Sequence, residues 1–395
     1  MDFAAATPIH PRILREMRRG FDAYGNPSAP HTEGQRAAVL LEKARLRIAR
    51  ALSAKPGNII MTGSGTEANN LAIFGVMEAL VARGAKPEDL HIITSIFEHS
   101  SLEGPVAYWA RRGASISLAE PTEEGIITPE AVEKLIRPET ALVSVVAVQS
   151  EIGQVQPVKE ISRMLKRVRE KRAQRVQTLV PETAFPILHS DASQSPLFAD
   201  LSPERLGVDL ATYDAQKVMG PKGVGALYKH SSVPLEPLMR GGTQERSLRA
   251  GTENVAGALG FALALELAAE GRDVRISHVK VVRDYLAERI LKEIPHAVVN
   301  GGMKHRIANN LNISVPGADG DYLSVLMDAE GVAVSPRSAC LAPGSSSQAV
   351  NALRREEPGG AYGTLRFSLA PDASKRDARQ AVAALKRALA ITRHS

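Results

Sequence analysis

The 395 residues include one cysteine, one tryptophan and only 4% aromatic side chains. A single thiol, Cys340, excludes an intrachain disulfide and any metal cluster built from cysteines alone, and no metal site is expected. With so few aromatics there is no stacking pattern for nucleic acid. The net charge of +6 therefore favours anionic ligands in general and not nucleic acid in particular. Long apolar runs are also missing. The most apolar stretch, roughly 256–269, contains Glu266 and is shorter than the ~18 residues a membrane span needs. No basic start followed by an apolar run and a small-residue cleavage site opens the chain. The expectation is a soluble, cytoplasmic protein with neither membrane nor nucleic acid as partner.

What is present is an ordinary globular composition, 44% hydrophobic and 23% charged, over a length that suits two domains. Strand-like apolar runs at 58–62, 91–94, 141–147, 187–189 and 209–213 alternate with helical patterns at 66–83, 102–112 and 158–172. That alternation predicts a mostly parallel sheet between helices, the α/β class. After Thr252 the pattern changes. Helices near 255–270 and 278–292, strands near 309–315 and 364–368, and a last helix over 375–391 predict a smaller α+β domain. The segment 178–186 reads as a surface loop. The basic run 166–175 around Glu170 reads as a solvated helix face.

Three motifs follow predicted strands. Thr62-Gly-Ser-Gly-Thr-Glu-Ala-Asn-Asn70 joins a strand to a helix, and its glycines and free helix amides suit a phosphate. A tight turn without any ligand would read the same way. His189-Ser-Asp191-Ala-Ser-Gln194 places an aspartate at a strand end, where it serves either as an N-cap or as the partner of a pyridinium nitrogen. Tyr213-Asp-Ala-Gln-Lys217-Val-Met-Gly-Pro-Lys-Gly223 sets a lysine between a strand and a glycine-rich turn, a position for a Schiff-base amine, with Lys222 as local competitor.

Together these motifs make the chain resemble the cysteine desulfurases among the class V, fold-type I pyridoxal-phosphate enzymes. The resemblance runs from Asp2-Phe-Ala-Ala-Ala-Thr-Pro8 to Arg366-Phe-Ser-Leu369, through Tyr24-Gly-Asn-Pro-Ser28, Glu98-His99, Glu151-Ile-Gly153, the run 244–254 and Ser338-Ala-Cys340. It implies a large cofactor domain over 13–254 with a mostly parallel seven-stranded sheet. Residues 1–12 and 255–395 would form a small α+β domain carrying a mobile loop with Cys340.

The resemblance further implies that Lys217 binds pyridoxal 5'-phosphate covalently and that Asp191 pairs with its ring nitrogen. His99 would stack on the ring and move protons, and Gln194 would bond its phenolic oxygen. Gly65 and Thr66 would hold the phosphate, with Thr252 supplied by the partner subunit of a homodimer. Arg366 and Ser150 would bind the substrate carboxylate, the arginine by a bidentate pair. Cys340 would take sulfur from L-cysteine as a persulfide, leaving L-alanine, for an acceptor or scaffold protein of iron–sulfur or thio-cofactor assembly. A selenocysteine lyase, a class V aminotransferase and a non-catalytic scaffold are the alternatives within this resemblance.

The sequence departs from the family pattern in places. Asp214 and Gln216 stand where serine and histidine touch phosphate, Ser150 stands for an asparagine, and Pro336-Arg337 precedes the cysteine motif in place of small residues. An Asp214 carboxylate facing a phosphate would be strongly repelled. Rotation of that side chain toward Gln216 or an arginine is the expected escape.

Overall fold

The computed structural model describes residues 1–173, 185–200, 202–337, 347–353 and 362–392. Strands β1 (Ile59–Thr62), β2 (His91–Ser95), β3 (Ser115–Ala119), β4 (Thr140–Ser144), β5 (Ile187–Asp191), β6 (Leu210–Asp214) and β7 (Gly225–Lys229) form a seven-stranded sheet in the order β1-β7-β6-β5-β4-β2-β3. The β3-β2-β4-β5-β6 run is parallel, and β7 lies antiparallel to both β1 and β6. Strands such as β4 and β5 are buried at every position, which is why they read as unbroken apolar or small-residue runs and not as alternating ones. The edge strand β3 exposes Leu118 and carries no such run.

Helices α1 (Pro11–Asp22), α2 (Thr32–Ala51), α3 (Gly65–Ala82), α4 (Ser100–Arg111), α5 (Pro129–Glu133), α6 (Val158–Ala173) and α7 (Pro203–Leu206) accompany this sheet in sequence. They are followed by α8 (Val255–Ala269), α9 (Arg272–Glu293), α10 (Gly320–Ala329), α11 (Gln348–Leu353) and α12 (Lys375–Thr392). A second, antiparallel sheet of β8 (Val298–Val299), β9 (Asn310–Pro316) and β10 (Tyr362–Ser368) has the order β10-β9-β8. Helix α8 is apolar around nearly its whole circumference because it is packed against α1 and α2, whereas α9 packs on α12.

Several expectations are corrected. The helix expected over 278–292 begins at Arg272, directly after Gly271 in the left-handed region at φ 62°. Its first turns, Arg272-Asp-Val-Arg-Ile-Ser277, are too polar to show an apolar stripe. The strand expected over 141–147 ends its ladder at Ser144, although Val145 and Ala147 still donate to the carbonyls of His189 (3.2 Å) and Asp191 (2.9 Å). Of the surface loop expected at 178–186, only Phe185 and Pro186 are described, and both are buried. The basic run is not a merely solvated face. Arg169 pairs with Asp209 and donates to the Pro186 carbonyl at 3.0 Å, and Arg172 bonds the carbonyls of Thr140 and Arg137. These guanidinium contacts tie α6 to neighbouring segments.

Candidate active site

Parallel strands deliver their carboxyl ends to one side of a sheet, and ligands bind there. Here the ends of β5 and β6, the start of α3, the entry to α4 and a residue of β10 surround a cavity of about 180 Å³. Gly65, Thr66, His99, Ser150, Asp191, Gln194, Lys217 and Arg366 all line it, with Ala4, Ala5, Asn69, Asp214 and Gln216. Thr252 is exposed and is not part of this lining. Cys340 lies outside the described residues.

Lys217 closes a short 3-10 turn, Ala215–Lys217, directly after β6. Its Nζ donates to the carbonyls of Ala4 at 2.8 Å and Ala5 at 2.5 Å. Lys222, by contrast, is exposed. The Ala4 carbonyl also accepts from Gln194 Nε2 at 2.9 Å. Thr7 secures the turn from the same segment: its N–H and hydroxyl donate to the Gln216 carbonyl, and its oxygen accepts from Met219 N–H at 2.7 Å. Ala4 and Ala5 thus form part of the cavity wall, a role that the sequence motif alone did not reveal.

Asp191 closes a turn and lines the cavity, and among the described residues no helix starts there for it to cap. Its Oδ1 accepts from Ser193 N–H at 2.9 Å, closing the turn after β5, while the carboxylate still lines the cavity. Its Oδ2 accepts from Asn69 Nδ2 at 2.8 Å, and the same amide donates to Ser101 Oγ at 2.9 Å. Asn69 was missed as a site residue. A helical spacing of four from Gly65 was the available signal.

His99 caps α4 by accepting from Ser101 N–H through Nδ1 at 3.1 Å, with Ser101 Oγ 2.7 Å from the same nitrogen. Acceptance at Nδ1 assigns the neutral tautomer with its proton on Nε2. Burial holds the imidazole pKa below its ordinary value, against the attraction of Asp191. A continuous line of hydrogen bonds therefore joins His99, Ser101, Asn69 and Asp191. Beside it, burial pushes Glu98 up to about 8 although its carboxyl accepts from Ser95 Oγ at 2.6 Å and Val146 N–H at 3.0 Å.

Arg366 reaches the cavity from β10. Its guanidinium donates to the Ser150 carbonyl at 3.1 Å and to Asp2 Oδ1 at 2.9 Å. Asp2 Oδ2 accepts from Ser335 Oγ at 2.9 Å, and Ser335 and Arg366 are paired through their backbones. Asp214 is found in the orientation only half expected. Its Oδ1 accepts from Gln216 N–H at 3.1 Å and its Oδ2 from Gln216 Nε2 at 3.3 Å, but Oδ2 also accepts from Gly65 N–H at 3.1 Å. The carboxylate turns toward Gln216 without leaving the start of α3.

The donor set suits a pyridoxal phosphate. A lysine amine, an aspartate fixed by Asn69 and Ser193, a neutral histidine and a helix N-terminus all line one cavity. Among the described residues, no helix is long and apolar enough to cross a membrane.

Comparison with known proteins agrees over almost the whole chain. The family described as aminotransferase class-V matches residues 1–380. A protein of Dictyoglomus turgidum named cysteine desulfurase IscS is 35% identical over 98% of this chain and 93% of its own length. The solved structure of a NIFS-like protein superposes with a TM-score of 0.87 at 29% identity, covering 99% of this chain and 98% of that one. Another, titled SspA in complex with cysteine, gives a TM-score of 0.74 at 28% identity, covering 94% of this chain and 98% of its own.

Proposed function

The chain belongs to the cysteine desulfurase family of class-V aminotransferases, and from that premise we propose an enzyme that transfers sulfur from L-cysteine to Cys340 and releases L-alanine. The observation that carries this reading is the meeting of Lys217, Asp191 and Arg366 in one cavity, from segments far apart in sequence. A bound pyridoxal 5'-phosphate would supply the electron sink for chemistry at the α-carbon of the amino acid. Lys217 would hold it and, once released, carry the α-proton on Nζ. Asp191 would keep the ring nitrogen protonated, and its bonds from Asn69 and Ser193 fix it for that task. His99 would face the ring, Gln194 the phenolic oxygen, and Thr66 with Gly65 the phosphate.

Arg366 would orient the substrate carboxylate beside Ser150. The Cys340 thiolate would then form an S–S bond to the substrate sulfur as the carbon–sulfur bond breaks. The carbon side keeps that electron pair and takes a proton to become L-alanine. In this reading the persulfide sulfur passes to an acceptor or scaffold protein of iron–sulfur or thio-cofactor assembly. Thr252 acts across a homodimer interface, supported by its exposure and its place outside its own chain's cavity. We further propose a cytoplasmic location, where a lone reactive thiol stays reduced. In this reading residues 13–254 form the cofactor domain, and residues 1–12 with 255–395 form the small domain.

The test is sulfide and alanine release from L-cysteine in the presence of a reductant. The unsubstituted enzyme should yield both, and Cys340→Ser should release little sulfide while still binding L-cysteine. Undiminished sulfide from that variant would favour a lyase reading, and no turnover by the unsubstituted enzyme would favour a scaffold.

A further inference from the structure

We infer that Asp214 weakens retention of the cofactor phosphate in this chain; this rests on the pyridoxal-phosphate reading of the cavity. The start of α3 is the element built to receive an anion, through unpaired amides and the positive end of the helix. Asp214 is already there. It is 7% exposed, and its Oδ2 accepts the amide of Gly65, the first residue of α3, at 3.1 Å. The fit is close: a Cβ added at Gly65 would meet Asp214 Oδ2 at 3.0 Å and Ser193 Oγ at 3.3 Å.

The carboxylate acts on a phosphate in two ways. It adds a negative charge at the spot where a second anion must sit, and a buried site screens that repulsion poorly. It also consumes donors. Gln216 gives Asp214 both its backbone N–H at 3.1 Å and its side-chain amide at 3.3 Å, and Gly65 gives its N–H. All three come from neutral groups, so none cancels the carboxylate's charge. Three hydrogen bonds also hold the side chain in place, so a phosphate arriving at α3 must share the helix end with a fixed anion or displace it.

The experiment compares two probes, pyridoxal 5'-phosphate and pyridoxal, which lacks the phosphate. Each is titrated into cofactor-free protein, following the visible absorbance of the lysine-bound ring, with melting curves to check folding. Asp214→Asn keeps the shape and removes the charge, and Asp214→Ser provides a second neutral side chain should the first fold poorly. The expected result is a Kd for pyridoxal phosphate lower by about tenfold or more in the variants, with pyridoxal affinity within about twofold of the unsubstituted protein. Equal or weaker phosphate-dependent binding in both variants overturns the inference and leaves the cofactor reading intact. Absence of lysine-dependent absorbance in the unsubstituted protein and both variants overturns the inference and the cofactor reading together.

Discussion

Asp2 and Arg366 form an ion pair of 2.9 Å, with the arginine side chain 2% exposed and the aspartate 24%. The arginine proposed to receive the substrate carboxylate is therefore already neutralised by a carboxylate of the same chain. Asp2→Asn keeps an acceptor oxygen and removes that counter-charge. A buried guanidinium without its partner attracts the incoming carboxylate more strongly but costs the fold about 2 kcal/mol. The expected outcome is a KM for L-cysteine several-fold lower together with a lower Tm. Steady-state kinetics showing a raised KM would mean that Asp2 serves to orient Arg366 and does not compete with substrate.

Lys217 and Lys222 are separable by chemistry. Lys217 lies in the cavity with its amine held by two carbonyls, whereas Lys222 is exposed. Borohydride reduction of the cofactor-loaded protein should leave a permanent adduct in Lys222→Ala and none in Lys217→Ala. Peptide mass spectrometry locates it, and an adduct on Lys222 would refute the assignment.

Glu98 gives the fold a distinctive pH response. Burial raises its pKa to about 8, so between its ordinary value and 8 the folded protein binds more protons than the unfolded one. Stability from this group is full below the ordinary carboxylate range and falls as pH rises toward 8, by on the order of 3 kcal/mol between pH 5.5 and 8. Glu98→Gln removes the titration. Urea melts at pH 5.5 and 8 should show the unsubstituted protein losing more stability over that interval than the variant. Parallel curves would place the ionisation elsewhere.

The pair Arg45–Glu245 anchors the segment that leads to Thr252. Glu245 accepts from Arg45 Nη1 and Nη2 at 2.7 Å each and from Met61 N–H at 2.9 Å, and both side chains are buried. It does so from a left-handed backbone, with φ of 46°, 59° and 63° at Glu245, Arg246 and Ser247. Glu245→Ala leaves the buried guanidinium with only the more exposed Glu42 at 3.1 Å and the Ile59 carbonyl at 2.9 Å, and should cost about 3 kcal/mol in urea unfolding. Combining it with Arg45→Met should restore part of that loss. An additive double variant would show that the two charges are not coupled.

Strands β1, β2, β4, β5 and β6 were legible because full burial leaves continuous apolar runs, whereas the equally buried interior strand β7 follows a glycine-rich turn and was not; Asp191 and Lys217 were legible because each lies at or just after such a run. The edge strand β3 was hidden by its mixed exposure, and the start of α9 by its polar first turns. Asp2 left no local trace. Its partners Ser335 and Arg366 lie more than three hundred positions away, and no periodicity connects such residues. Arg169 and Arg172 misled for the opposite reason: a charge run looks the same whether its side chains meet water or backbone carbonyls. Asp214 showed its oddity in the sequence but not its three bonds, because rotamer and partners are decided by packing.

The segment 2–7 touches Lys217 and Gln194 on one side and Ser335, Arg366 and Ser368 on the other. On a ribosome the chain emerges in order, and residues 2–7 wait for residues 335–368 before these contacts close. The large sheet, whose strands end at Lys229, is translated long before β10. The cavity is therefore completed only after β10 has been translated, and a nascent chain stalled before Arg366 has a lysine without its full surroundings. Pulse-labelled nascent chains of increasing length should gain borohydride-reducible cofactor only once β10 has cleared the exit tunnel.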